Sequence, residues 1–174
     1  DRLEELLMER DGTAEDMERM IRERRYDGVE DAPDFELPDR SGETVALSDL
    51  RGEIAVVCFF SYGGGPGRTE LPYLVEFHQQ FKDRGVHIIS VDRGKRHEAM
   101  DELLEEYDVT HTVLNDLSGE VVQAYRVTGV PTTVMIDHRG RAVFRHVGFA
   151  HEYADRFRQE IEALIAWRDA ARPE

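Results

Sequence analysis

Residues 54–72, IAVVCFFSYGGGPGRTELP, decide how this chain is read. Seven apolar residues run without a break over 54–60. They are rich in β-branched and aromatic side chains, which suits a strand buried on both faces of a sheet. A glycine-rich loop follows. From Thr69 to Arg84 the spacing of Leu71, Leu74, Val75, Phe77 and Phe81 then predicts a helix with one face toward a core. Strand, tight loop and helix in this order form the start of an α/β unit.

The rest of the chain extends that unit. Residues 86–91, VHIISV, read as a second buried strand, 97–107 as a helix, 112–114 as a short strand and 121–125 as a short helix. TTVMID (132–137) and RAVFRHV (141–147) read as strands joined through His138-Arg139-Gly140, a hairpin turn signal. Residues 152–167 close the chain as a helix with Phe157, Ile161, Leu164 and Ile165 at core spacing. Upstream, residues 31–52 are a turn-rich lead-in with two prolines, a short strand over 44–47 and a helical turn over 48–50. The order of elements predicts an α/β sandwich on a mixed central sheet.

Residues 1–30 read as a helical extension ahead of a single domain over 31–170. Leu3, Leu6 and Leu7 share one helical face, Asp11-Gly12 interrupts it, and Thr13 with Asp16 offers a capping box for a second helix. An amphipathic appendage packed on the domain is the expectation, with a homodimer-forming or partner-binding arm as the other reading.

Composition removes several classes of partner. The 37 acidic residues outnumber 22 basic ones for a formal charge of −15. Such a field repels nucleic-acid phosphates and anionic membranes, so neither is an expected partner. No apolar run approaches the ~20 residues of a membrane span. One cysteine, Cys58, cannot form a disulfide within the chain, so nothing in its cysteine usage points to an oxidising compartment. With no leader-like segment in view, a cytoplasmic location is the expectation, or export if a piece precedes Asp1.

APDFELPDRSGETVALSDLRGE, GRTELPYL and RVTGVPTTVMIDHRGR occur here in a telling order. The chain resembles, from about residue 31 to 166, the thioredoxin-fold proteins of the TlpA/ResA-like and AhpC/TSA (redoxin) group. The resemblance implies a thioredoxin-like three-layer sandwich. It also implies a cis proline at Pro131 and a Cys-x-x-Cys at the start of the helix carrying RTELP. On that pattern the two cysteines fall at Gly64 and Gly67, with Gly65-Pro66 between them, and the preceding tryptophan falls at Gly63. Dithiol exchange needs one thiolate to attack and a second thiol to resolve, and glycine supplies neither. Glu70 matches a carboxylate that tunes thiols in some relatives, and is expected here to cap the helix dipole. Cys58, within the apolar strand, is expected to be inert packing. The Thr-x-x-Cys pattern of a peroxiredoxin-like peroxidase is absent.

What remains is a scaffold with a mouth. The expectation is a module that binds a protein or an extended peptide through Gly63, Gly64, Gly65, Pro66, Gly67, Arg68, Glu70, Val130, Pro131 and Thr132, with no catalytic residue, cofactor or metal. The mode would be strand addition beside Val130-Pro131. Two other readings stay open. One is an oxidoreductase or antioxidant-class protein that borrows an external thiol such as glutathione. The other is a small-anion or metabolite site at the glycine-rich helix start, next to Arg68. GGGPGRT matches the Walker A pattern poorly, because Tyr62 takes the first glycine position and Arg68 the lysine position. The seven histidines (78, 87, 97, 111, 138, 146 and 151) show no ligand spacing, and His146 with His151 is the nearest approach to one.

Overall fold

The computed structural model describes residues 30–61, 65–94 and 98–172. The expected N-terminal extension lies outside them except for Glu30. The elements in chain order are β1 (Glu36–Pro38), β2 (Thr44–Ala46), β3 (Ile54–Phe60), α1 (Gly65–Phe81), β4 (Val86–Asp92), α2 (Glu98–Glu106), β5 (Thr112–Asn115), α3 (Glu120–Ala124), β6 (Thr132–Ile136), β7 (Ala142–Val147) and α4 (Ala154–Ala170). Short 3-10 turns cover Leu47–Leu50, Lys82–Arg84 and His151–Tyr153.

Five strands form one mixed sheet in the order β5-β4-β3-β6-β7. β3 lies at its centre, parallel to β4 and antiparallel to β6, and β6 runs antiparallel to β7. This arrangement explains the unbroken apolar run. Ile54, Val56, Cys58 and Phe60 enter a core with Phe77 of α1 and Phe157 and Ile161 of α4. Ala55, Val57 and Phe59 enter a second core with Val121 and Val122 of α3 and with Phe35 and Leu47 of the lead-in. Both faces of β3 are buried, so alternation with polar residues has no place in it. Helices on one face, sheet, then α3 and the lead-in make the three layers.

Two boundaries depart from expectation. α1 begins at Gly65, four residues earlier than the periodicity suggests, so Gly65-Pro66-Gly67 is its first turn. Proline suits that turn because the first N–H groups of a helix lack internal acceptors. β1 falls within the stretch expected from sequence to be a turn-rich lead-in. It pairs with β2 because Asp39 closes the connection, accepting at Oδ1 from Ser41 N (2.8 Å), Ser41 Oγ (2.7 Å) and Glu43 N (3.0 Å). The hairpin meets the β5 edge through an Asp39–Leu114 bridge, and an Asp31–Arg141 bridge covers the start of the β7 edge. Among the predicted core positions, Leu71, Leu74, Phe77, Phe81, Phe157, Ile161, Leu164 and Ile165 are buried, while Val75 is half-buried.

Candidate functional site

The site is built where α1 starts above the ends of β3 and β6. Glu70 is the sixth residue of α1 and shares a stripe with Leu74, Phe77 and Phe81, so the helix points it at the sheet. It is fully buried. Its Oε1 accepts from the Thr133 hydroxyl at 2.7 Å and its Oε2 from the Cys58 thiol at 3.3 Å. The expectation of a dipole cap is therefore corrected: Glu70 faces β3 and β6, and no acidic residue occupies the first turn of α1. Burial raises its pKa above the ordinary glutamate value, against the two donated hydrogen bonds and the His146 charge, which lower it.

Cys58 sits in register opposite Thr133 on β6 and Ser90 on β4. Burial, followed by the neighbouring Glu70 charge, pushes its thiol well above the usual cysteine value. A thiol so placed keeps its proton and meets no solvent, which makes it a weak nucleophile. Thr133 in turn lies opposite His146 of β7. The His146 Nε2 pairs at 2.6 Å with Oε2 of Glu160, a buried carboxylate of α4 that also accepts from Arg156 Nε at 3.2 Å. Cys58, Thr133 and His146 thus form one transverse polar row under two carboxylates. Neither Thr133 nor Glu160 is among the site residues expected from the sequence. The available signal was position: Glu160 falls on the stripe of Phe157, Ile161 and Leu164, where a charge must be paired.

The Val130–Pro131 peptide bond is cis. The Pro131 carbonyl accepts from Gly148 N at 2.7 Å, and Thr132 Oγ1 donates to the Gly129 carbonyl at 2.6 Å. Thr132 lies in register between Phe59 and Val147. Val130, Val147 and Tyr153 are exposed at 40%, 63% and 44%. Val130 precedes Pro131 and Val147 lies in register with Thr132, so two of the four large apolar side chains exposed among the described residues flank Pro131. Arg68, Thr69, Pro72, Tyr73 and Glu76 of α1 line an open groove with Tyr107 and His151. The Tyr73 hydroxyl and His151 Nδ1 are hydrogen-bonded at 2.7 Å.

Of the ten expected site residues, the structure ties Glu70 to Thr133, two residues past Pro131, and so links the α1 start to the Val130–Thr132 segment. Arg68 lies on the groove. Gly65, Pro66 and Gly67 are described as helical backbone alone, and Gly63 and Gly64 fall outside the described residues. His146 and His151 take different partners. Among the described residues, no three His, Cys, Asp or Glu side chains gather as a metal-ligand set, and no helix is long and apolar enough to cross a membrane.

Residues 29–144 match the AhpC/TSA family. The thiol-disulfide oxidoreductase ResA of Bacillus subtilis is 34% identical over 113 residues, 65% of this chain and 63% of that protein. ResA of Oceanobacillus iheyensis is 35% identical over 113 residues, 63% of this chain and 59% of that protein. The chain therefore spans less than two thirds of the length of these two relatives. In three dimensions it is similar to a Chlorobium tepidum protein assigned as a thiol:disulfide interchange protein DsbE, with a TM-score of 0.73 at 29% identity over 78% of this chain and 96% of that one. It is also similar to the thioredoxin domain of a thiol-disulfide oxidoreductase from Bacteroides vulgatus, with a TM-score of 0.68 at 25% identity over 76% of this chain and 96% of that one. With its single cysteine buried in β3, this chain is a thioredoxin-fold member of the AhpC/TSA family, related to the thiol-disulfide oxidoreductases.

Proposed function

We propose that this chain is a binding module that has lost dithiol chemistry and receives an extended segment of a partner protein beside Pro131. One observation carries the loss of chemistry. The chain has one cysteine, and it lies mid-strand, sealed from solvent and bonded to Glu70. Attack and resolution need two accessible sulfurs. On the family pattern read in the sequence, Gly64 and Gly67 take the cysteine positions, and glycine supplies no sulfur.

The exposure of Val130 and Val147 on either side of Pro131 supports the binding half of the reading. Exposed apolar groups grouped at one end of a domain mark a surface made for contact. An extended segment laid there adds main-chain hydrogen bonds, and its alternate side chains take up the apolar contact. Glycine at 63, 64, 65 and 67 offers no side chain to such a segment.

The test is a pull-down with the native chain alongside Gly64→Trp and Val130→Asp. The first fills the mouth and the second charges its apolar rim. A partner retained by the native chain and lost on both changes agrees with the reading. Partners unaffected by both changes place the contact elsewhere and refute it.

A further inference from the structure

Arg84, Arg141 and Arg158 are each matched to a carboxylate, of Glu162, Asp137 and Glu76 in turn. Arg126 and Arg145 are placed differently. Both are exposed, and neither takes a carboxylate partner among the described residues. The Arg145 guanidinium rests on backbone carbonyls instead, Nη1 donating to Tyr125 O at 2.8 Å and Nη2 to Arg126 O at 2.9 Å. Each Nη keeps a second N–H and Nε keeps its own, so the fork still has donors to offer. Two positive charges thus lie together where α3 ends and β7 runs past it. Arg126 holds its place in a left-handed backbone, with φ of 52°, which glycine would adopt without strain.

The pair adjoins the surface beside Pro131. Arg145 and Val147 are two residues apart on β7, so their side chains share one face of the sheet at a spacing of about 7 Å. Val147 lies in register with Thr132, and Gly148 N donates to the Pro131 carbonyl at 2.7 Å. A Cβ at Gly129 would come 3.8 Å from Val147 Cγ1, which brings the segment between Arg126 and Pro131 against the end of β7. The exposed apolar pair Val130 and Val147 therefore continues into two arginines.

We propose that the extended segment received beside Pro131 is acidic: an aliphatic side chain rests on Val130 and Val147, and a carboxylate two positions along pairs with Arg126 and Arg145. Side chains two apart in an extended segment face the same way, with the spacing that separates Val147 from Arg145. A guanidinium fork fits the two oxygens of a carboxylate. The whole chain carries a formal charge of −15, so the local positive charge fixes where an acidic segment lands and does not draw it from a distance. This assignment rests on the binding reading above and names the chemistry of its partner.

The experiment uses the purified full chain to select from a displayed library of random short peptides, and repeats the selection with Val130→Asp. Sequences enriched by the native chain should carry Asp or Glu two positions from an aliphatic residue. Such a peptide should bind about tenfold more tightly than its copy with Gln in place of the acid, the difference expected of a charge-assisted pair. That gap should shrink in Arg126→Glu and in Arg126→Gly. The glycine variant relaxes the left-handed backbone while removing the charge, which keeps the test available if Arg126→Glu does not fold. A gap unchanged in both variants, or enrichment of sequences without acids, overturns the proposal. If acid-free sequences are enriched and then lost on Val130→Asp, the binding reading stands alone. No enrichment by the native chain, or enrichment untouched by Val130→Asp, overturns both.

Discussion

The thiol of Cys58 donates to Glu70 Oε2 across 3.3 Å, and both side chains are sealed beneath the start of α1. The chain's one cysteine sulfur therefore lies inside the sheet, bonded to the Glu70 carboxyl. The pair is structural, and its chemistry follows from burial.

Cys58 should resist thiol reagents in the native protein and react only as the chain unfolds. Burial and the Glu70 charge hold its pKa well above the usual value, so the thiolate fraction near neutral pH is very small. Colorimetric labelling with and without denaturant checks this. Rapid, complete labelling of the folded chain would contradict the placement.

Thr133→Val keeps the shape of the side chain but removes a hydroxyl donor to a fully buried carboxylate. A buried acceptor stripped of one partner costs about 1–3 kcal/mol, and urea unfolding should show that loss. A change within a few tenths would mean that Glu70 does not depend on the bond.

His111 gives the chain an acid-sensitive limb. Burial, then the charge of His78, lowers its pKa from 6.5 to about 4, and Ser90 Oγ lies 2.9 Å from its Nε2. Because the folded value is the depressed one, this contribution is fully present above pH 6.5 and is lost as pH falls toward about 4. Its size is about 3 kcal/mol over that window by linkage. His111→Gln, which does not titrate, should flatten the urea-stability profile there. An unchanged slope would contradict this assignment.

Gly85 and Gly42 separate two costs of adding a methyl group. Both have left-handed backbones, with φ of 69° and 90°. A Cβ at Gly42 meets nothing within 4 Å, whereas at Gly85 it comes 2.5 Å from Arg168 Nη1. That guanidinium donates to the Arg84 carbonyl at 2.7 Å and so caps the 3-10 turn that follows α1. Gly42→Ala should cost about 1 kcal/mol for the backbone alone. Gly85→Ala should cost about twice that, because the Arg168 contact must also shift. Equal losses in thermal unfolding would show that the Arg168 contact adds nothing.

Much of this architecture is legible in the chain because apolar patterns report burial directly. β3, flanked on both sides in the sheet and covered on both faces, could only read as an unbroken apolar run. α4 declares its core face through Phe157, Ile161 and Leu164. The start of α1 was harder, since glycine is a poor helix former and Gly65-Pro66-Gly67 reads as a loop until the helix behind it draws it in. β1 depends on turn chemistry at Asp39 and on a distant edge, neither of which leaves a periodic trace. Glu70 and Glu160 show where residue type misleads. Their charge suggests the surface, while their spacing places them on the buried stripes of α1 and α4. The partners that make this tolerable, Thr133, Cys58 and His146, lie far away in the chain and meet the carboxylates only through strand register.

The most direct measurement is turnover of insulin disulfides under dithiothreitol by the purified chain. With glycine at 64 and 67 and Cys58 buried, the rate should equal the reagent blank. Catalysis above that blank, abolished by Cys58→Ala, would place the reactive sulfur within reach of substrate and contradict the central claim.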